Sequence, residues 1–258
     1  MDELSRLVLT NFDRHAHLIP SRTAGMSVWK SPGLTVVDSG LPCDTFNIVH
    51  VYDQSQLRPT DLEAVRQHFA ERQFPFCLWI DETNLTEPVQ ARLVQLELTR
   101  AGVEPGMVLD LGTYRPVADE RHRNARVAAN PQEVADFADV VARNWSPADQ
   151  NVTAYYQQTA SQYLASDSGV MLTIYYEHDK PVSVIELFPT DDQTIGLYCL
   201  ATLDEYRGRG IGSALMTYAL NIAKEAGYTT AILQASEDGI RIYERLGFRV
   251  TTTYFEYQ

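Results

Sequence analysis

Cysteine is scarce in this chain of 258 residues. Cys43, Cys77 and Cys199 are odd in number and far apart, and no C-x-x-C pair occurs. Neither a disulfide framework nor a structural zinc site is indicated, and a reducing compartment fits best. No stretch approaches the ~18 consecutive apolar residues of a membrane-spanning helix. The start, Met1-Asp2-Glu3, has none of the basic-then-apolar profile of a secretion signal. The expectation is a soluble, cytoplasmic protein with no membrane partner. Positive charge is also in short supply: 21 Lys and Arg against 34 Asp and Glu leave a net charge of −13. That argues against tracking a phosphate backbone, and so against nucleic acid as a partner. His15-x-His17 has no third ligand at a recognisable spacing, so no metal is expected. What is present, 45% hydrophobic and 21% charged residues, is the composition of a folded globular chain, and its length points to two domains of roughly 130 residues.

The boundary falls where the charged stretch 115–130 interrupts the apolar periodicity, dividing the chain into 1–118 and 119–258. After it, Asn130, Pro131 and Glu133 supply an N-cap, a first-turn proline and an N3 carboxylate, and Val134, Phe137 and Val141 mark one helical face. Ser146, Pro147 and Asp149 repeat that signal before a helix over 155–164. Apolar runs at 170–176 and 181–188 flank polar 177–180 as a hairpin, and 195–202 reads as a further strand. Next come a glycine loop, a helix with Ile211, Leu215, Ala219 and Ile222 on one face, a strand at 229–233, a short helix at 238–246 and a last strand at 248–257. The first half repeats this alternation more weakly: strand 46–52, helix 59–72, strand 76–80, helix 88–101 and strand 107–111. Arg100-Ala101-Gly102-Val103 stands where Arg245-Leu246-Gly247-Phe248 stands in the second half.

The loop Arg207-Gly208-Arg209-Gly210-Ile211-Gly212-Ser213 carries the chemistry. A helix N-terminus offers unpaired amides and about half a positive charge, and glycines let a phosphate approach the backbone. Arg207 and Arg209 add cations, so an anion site is expected at 208–213; the alternative is a tight turn with solvated arginines. A P-loop would need a Gly-Lys pair, which the chain does not contain. A nicotinamide site would need a carboxylate near the end of the next strand, which instead ends in Leu233-Gln234.

The stretch 204–212 resembles the R/Q-x-x-G-x-G/A acyl-CoA signature of the GNAT superfamily of N-acetyltransferases. Ser236 through Ile242-Tyr243-Glu244-Arg245-Leu246-Gly247-Phe248 resembles that family's second motif. Ser236 stands where Asn is usual, and Asp204 where many members carry Pro. The resemblance implies a mixed α/β fold of two tandem GNAT-like domains. The first is a degenerate one whose loop 54–60 contains no glycine and in which Pro59 removes an amide, so it should not bind CoA. It implies acetyl-CoA as cosubstrate, its diphosphate on Gly208 to Ser213 and its pantetheine along Leu200, Ala201 and Thr202, with Arg207, Arg209 and Ser236 in contact. The family position of Tyr243 is that of the acid for the leaving sulfur. Glu186 is the leading candidate for the base, with Glu177 behind it. Cys199 is rejected as a nucleophile, because no histidine stands at a readable partnering position. Trp29, Trp79 and Trp145 are expected to be core or domain-interface residues. The implied activity is acetyl transfer to a primary amine of a small molecule. A CoA-binding sensor without turnover and a protein N-acetyltransferase are the alternatives, and a homodimer is left open.

Overall fold

The computed structural model describes every residue except Met1, Pro59, Glu237 and Asp238. The proline expected in the first turn at 59 and the helix start expected at 238 lie outside the described residues. The chain forms two compact units, one from residues up to 107 with 234–240 and 250–258, the other from 108–233 and 241–249.

The first unit opens with a helix absent from the sequence reading, α1 (Glu3–Ser21). Asp2 caps it by accepting from the Ser5 N–H at 2.7 Å, and Val8, Phe12, Ala16 and Ile19 recur on its buried side. The hairpin β1 (Ser27–Ser31) and β2 (Leu34–Asp38) was also unforeseen. It turns at Gly33, whose φ of +81° favours glycine and where a Cβ would collide with the Asp53 carbonyl oxygen. Then follow β3 (Ile48–Val51), α2 (Asp61–Arg72), β4 (Cys77–Asp81), α3 (Glu87–Gln95) and β5 (Arg100–Asp110).

The helix expected to reach residue 101 stops at Gln95. Glu97 adopts φ +60°, and the Leu98 N–H donates to the Leu93 carbonyl at 3.0 Å, which closes the helix end. Arg100 to Val103 is therefore strand and not the counterpart of the helix exit at Arg245 to Phe248. Val65, Phe69, Val89 and Leu93 from α2 and α3 pack with Val49, Val51, Leu78 and Ile80 on one face of the sheet. On the other face Phe12 of α1 meets His50 and Trp79, each at 4.9 Å.

The second unit contains β6 (Ala125–Val127), α4 (Pro131–Ala142), α5 (Gln150–Tyr163), β7 (Met171–Glu177), β8 (Lys180–Pro189), β9 (Thr194–Thr202), α6 (Ile211–Glu225), β10 (Thr230–Gln234) and most of α7 (Ile240–Arg245). The first cap behaves as the sequence implies, the Asn130 side chain accepting from the Glu133 N–H; the second does not, because Asp149 rather than Ser146 is the N-cap, accepting from the Asn151 N–H, and the helix starts at Gln150 instead of 155. Val182 to Phe188 of β8 are all buried, which requires cover on both faces, and both α4 and α6 pack on this strand. The strands run β10-β9-β8-β7-β6, with the end of β5 beside β10. In the first unit the order is β1-β2-β3-β4, followed by β11 (Arg249–Tyr257) and the start of β5. Each unit is thus completed by a strand from the opposite half of the sequence. A cut after residue 118 would strip β11 from the first.

Candidate active site

β9 and β10 run parallel but pair only at Thr194 with Thr230, Ile195 with Ala231 and Gly196 with Ile232. Beyond that β9 continues to Thr202, still paired on its other edge with β8 up to Ser183 opposite Thr202. Burial changes at the same place: Thr194 to Leu197 are buried, Tyr198 and Leu200 to Thr202 are half-buried, and Cys199 is exposed. A bulge is the local cause. The β8–β9 register shifts between Val184 and Glu186, and Cys199 takes φ +53°, which bends β9 and adds twist. The corresponding parallel pair of the first unit, β3 and β4, is zipped from Ile48 opposite Cys77 to Val51 opposite Ile80. Only the second unit's pair opens.

The opening leads to the glycine loop. Gly208 and Gly210 have φ +72° and +74°, and a Cβ at Gly208 would meet no atom within 4 Å. Gly210 caps α6 without any side-chain hydrogen bond to its first turn. This leaves amides directed at the space before the helix.

The two loop arginines are held by protein partners. Arg207 pairs with Asp204 at 2.8 Å, donates from Nε to the Thr202 carbonyl at 2.9 Å and reaches Asn144 Oδ1 at 3.2 Å. Arg209 pairs with Glu177 at 2.6 Å and lies over the Tyr206 ring. Glu177 is thereby engaged in an ion pair. A further arginine, Arg121, donates from Nη1 to the Gly210 carbonyl at 3.0 Å. The sequence reading used its segment only as the boundary between domains; the signal was the basic run Arg121-His122-Arg123 within an acidic chain.

Glu186 is 1% exposed on β8. Its charge raises the pKa values of Tyr155, Tyr156 and Tyr163, after the burial that is the larger cause, so all three hydroxyls stay neutral. Tyr156 Oη stands 3.8 Å from Cys199 Sγ. Crowding around that sulfur, and then Glu186, push the thiol up to about 12. Tyr243 is 8% exposed on α7, with its ring edge-on to Phe248 at 5.9 Å. Ser236 is exposed, and its carbonyl accepts from the Gly239 N–H at 2.9 Å.

Of the tryptophans, Trp29 packs against the first unit's core and Trp79 against Phe12, whereas Trp145, expected to be core or interface, is 45% exposed. His17 turns to Asp13. Among the described residues no group of three or more His, Cys, Asp or Glu is placed to hold a metal, and no helix is long and apolar enough to cross a membrane.

Residues 135–248 match the model of the Acetyltransferase (GNAT) family. Human N-acetyltransferase 8B is 30% identical over 98 residues, covering 35% of this chain and 43% of that protein. A mouse probable N-acetyltransferase family 8 member 5 is 26% identical over 46% of this chain and 52% of its own length. The chain thus spans about half the length of these curated relatives. Among solved structures, a GCN5-related N-acetyltransferase from Kribbella flavida superposes with a TM-score of 0.68 at 20% identity, over 96% of this chain and 94% of its own. A tandem GNAT protein from the clavulanic acid biosynthesis pathway gives 0.57 at 14%, over 94% and 86%. Both likenesses concern the fold.

Proposed function

We propose, from the premise that residues 135–248 are a domain of the GNAT family, that the protein transfers an acetyl group directly from acetyl-CoA to a primary amine of a small molecule. The observation that carries this is the opening between β9 and β10. A strand edge released from pairing accepts an extended ligand as an added strand, and here it leads to uncapped amides in a glycine cradle. The residues fit acetyl-CoA on these grounds.

Bound there, acetyl-CoA supplies an activated thioester. The half-buried stretch Leu200 to Thr202 orients the pantetheine, and the 208–213 loop holds the diphosphate. Arg207 braces the strand end by donating to the Thr202 carbonyl. The Tyr243 hydroxyl stands as hydrogen-bond donor to the sulfur. A phenol of pKa about 10 gives its proton to a thiolate of conjugate pKa about 8.5 only uphill, by roughly 2 kcal/mol, so hydrogen bonding outweighs full transfer. Glu186 is the proton acceptor for the amine. At 1% exposure it acts through an intervening group rather than by touching the amine; Tyr156, whose hydroxyl lies 3.8 Å from Cys199 Sγ and whose pKa the Glu186 charge helps to raise, is the candidate.

The test is amine-dependent release of free CoA by the intact chain, measured with a thiol reagent over a panel of small primary amines. Release that rises with one amine class, and falls at least tenfold in Tyr243→Phe, supports the reading. Acetyl-CoA binding without release for any amine would overturn it.

A further inference from the structure

The 3-10 turn Glu120–Asn124 lies along the flank of α6. His122 Nε2 meets Thr217 Oγ1 at 2.9 Å and its ring stands against Tyr218, one to two turns into the helix. Arg121 stands beside the first turn, where its Nη1 donates to the Gly210 carbonyl. That carbonyl also accepts from the Ala214 N–H, so it points down the helix, away from the amides at the tip. The guanidinium is therefore off the axis on which a diphosphate would sit.

Asp119 fixes it, accepting from Arg121 Nε at 2.9 Å and from Nη2 at 2.6 Å, and also from the Arg121 backbone N–H at 2.9 Å. Of the five guanidinium N–H groups, one on Nε, one on Nη1 and one on Nη2 are engaged, which leaves one on each terminal nitrogen. The side chain is 45% exposed, so these two open to solvent beside the glycine loop. A fork already aligned by a carboxylate binds a phosphate with little further loss of side-chain entropy.

We infer that Arg121 is the residue that recognises the 3′-phosphate of the CoA adenosine. This rests on the acetyl-CoA reading above. The loop amides take the diphosphate; the 3′-phosphate is the remaining anion of the molecule, separated from it by the ribose, and a cation on the flank of the first turn is placed for that second group. Arg123, two residues on and also exposed, supplies positive charge without a hydrogen bond to α6.

The experiment is calorimetric titration of the intact chain with CoA and with 3′-dephospho-CoA, for the unaltered protein, Arg121→Gln and Arg123→Gln, each checked for unchanged melting. The expectation is that the unaltered protein prefers CoA by about tenfold or more, the scale of one charge-assisted hydrogen bond. Arg121→Gln should erase that preference while leaving dephospho-CoA affinity within about twofold, and Arg123→Gln should keep it. Equal affinity of the unaltered protein for the two ligands would overturn the 3′-phosphate assignment and leave the CoA site standing. So would an equal loss for both ligands in Arg121→Gln, or the same loss of preference in Arg123→Gln. Binding of neither ligand by the unaltered protein would remove the acetyl-CoA reading and this inference with it.

Discussion

Gly208 separates backbone strain from charge at the proposed diphosphate cradle. Its φ of +72° lies in the left-handed region, yet a Cβ there would touch nothing. Gly208→Ala and Gly208→Glu therefore share one cost, roughly 1–2 kcal/mol for an L-residue in that conformation. At 2–4 °C per kcal/mol for a chain of this size, both should melt about 2–8 °C lower. They differ in a carboxylate that Gly208→Glu directs into the open space before α6. At 4 Å from one phosphate charge, with an effective dielectric of 20, repulsion is about 4 kcal/mol, close to a thousandfold in affinity, and somewhat less once salt screens it. Calorimetric titration with acetyl-CoA should find Gly208→Ala within about tenfold of the unaltered protein and Gly208→Glu weaker by a hundredfold or more, with the gap widening at low ionic strength. Equal affinity in the two variants would refute the placement of the diphosphate.

Tyr243→Phe should lower kcat at least tenfold while KM for acetyl-CoA stays within about twofold; a change confined to KM would assign the phenol to binding alone. Glu186→Gln should lower kcat at least tenfold while KM for acetyl-CoA stays within about twofold; an unchanged kcat would take Glu186 out of the proton path. In the first unit, burial and then Glu256 raise the Glu104 carboxyl to about 7. Because the folded pKa lies above the unfolded one, the unfolded chain releases its proton first, and stability falls as pH rises from about 4.5 to 7. Thermal melts between pH 5 and 8 should show that decline, and Glu104→Gln should flatten it; an identical decline in the variant would refute the cause.

The second half of the chain was legible because its signals are local. Asn130, Pro131 and Glu133 fix the start of α4, the polar run 177–180 sits between β7 and β8, and the glycines announce α6. In the first half, α1 and the β1–β2 hairpin were missed although their cues were present, in the spacing of Val8, Phe12 and Ile19 and in Gly33. Three features could not be read at all. The bulge places a cysteine in the left-handed region, which no side-chain pattern announces. The opening of β9 from β10 is a failure to pair, settled by tertiary packing rather than by either strand. The ion pairs that occupy Arg207 and Arg209 join residues up to 32 positions apart, so the sequence shows the cations but not that they are engaged. The fold of α3 into β5 was misread for a related reason: Ala101 and Gly102 suit a helix end, but Glu97 had already ended it.

The claim on which the rest depends is that acetyl-CoA enters between β9 and β10. Backbone amide hydrogen exchange on the intact chain, with and without saturating acetyl-CoA, tests it most directly. The account predicts new protection at Tyr198 to Thr202 and at 208–213, with β3 and β4 of the first unit unchanged. No protection in either stretch, or protection centred on Ile48–Val51 and Cys77–Asp81, would contradict it.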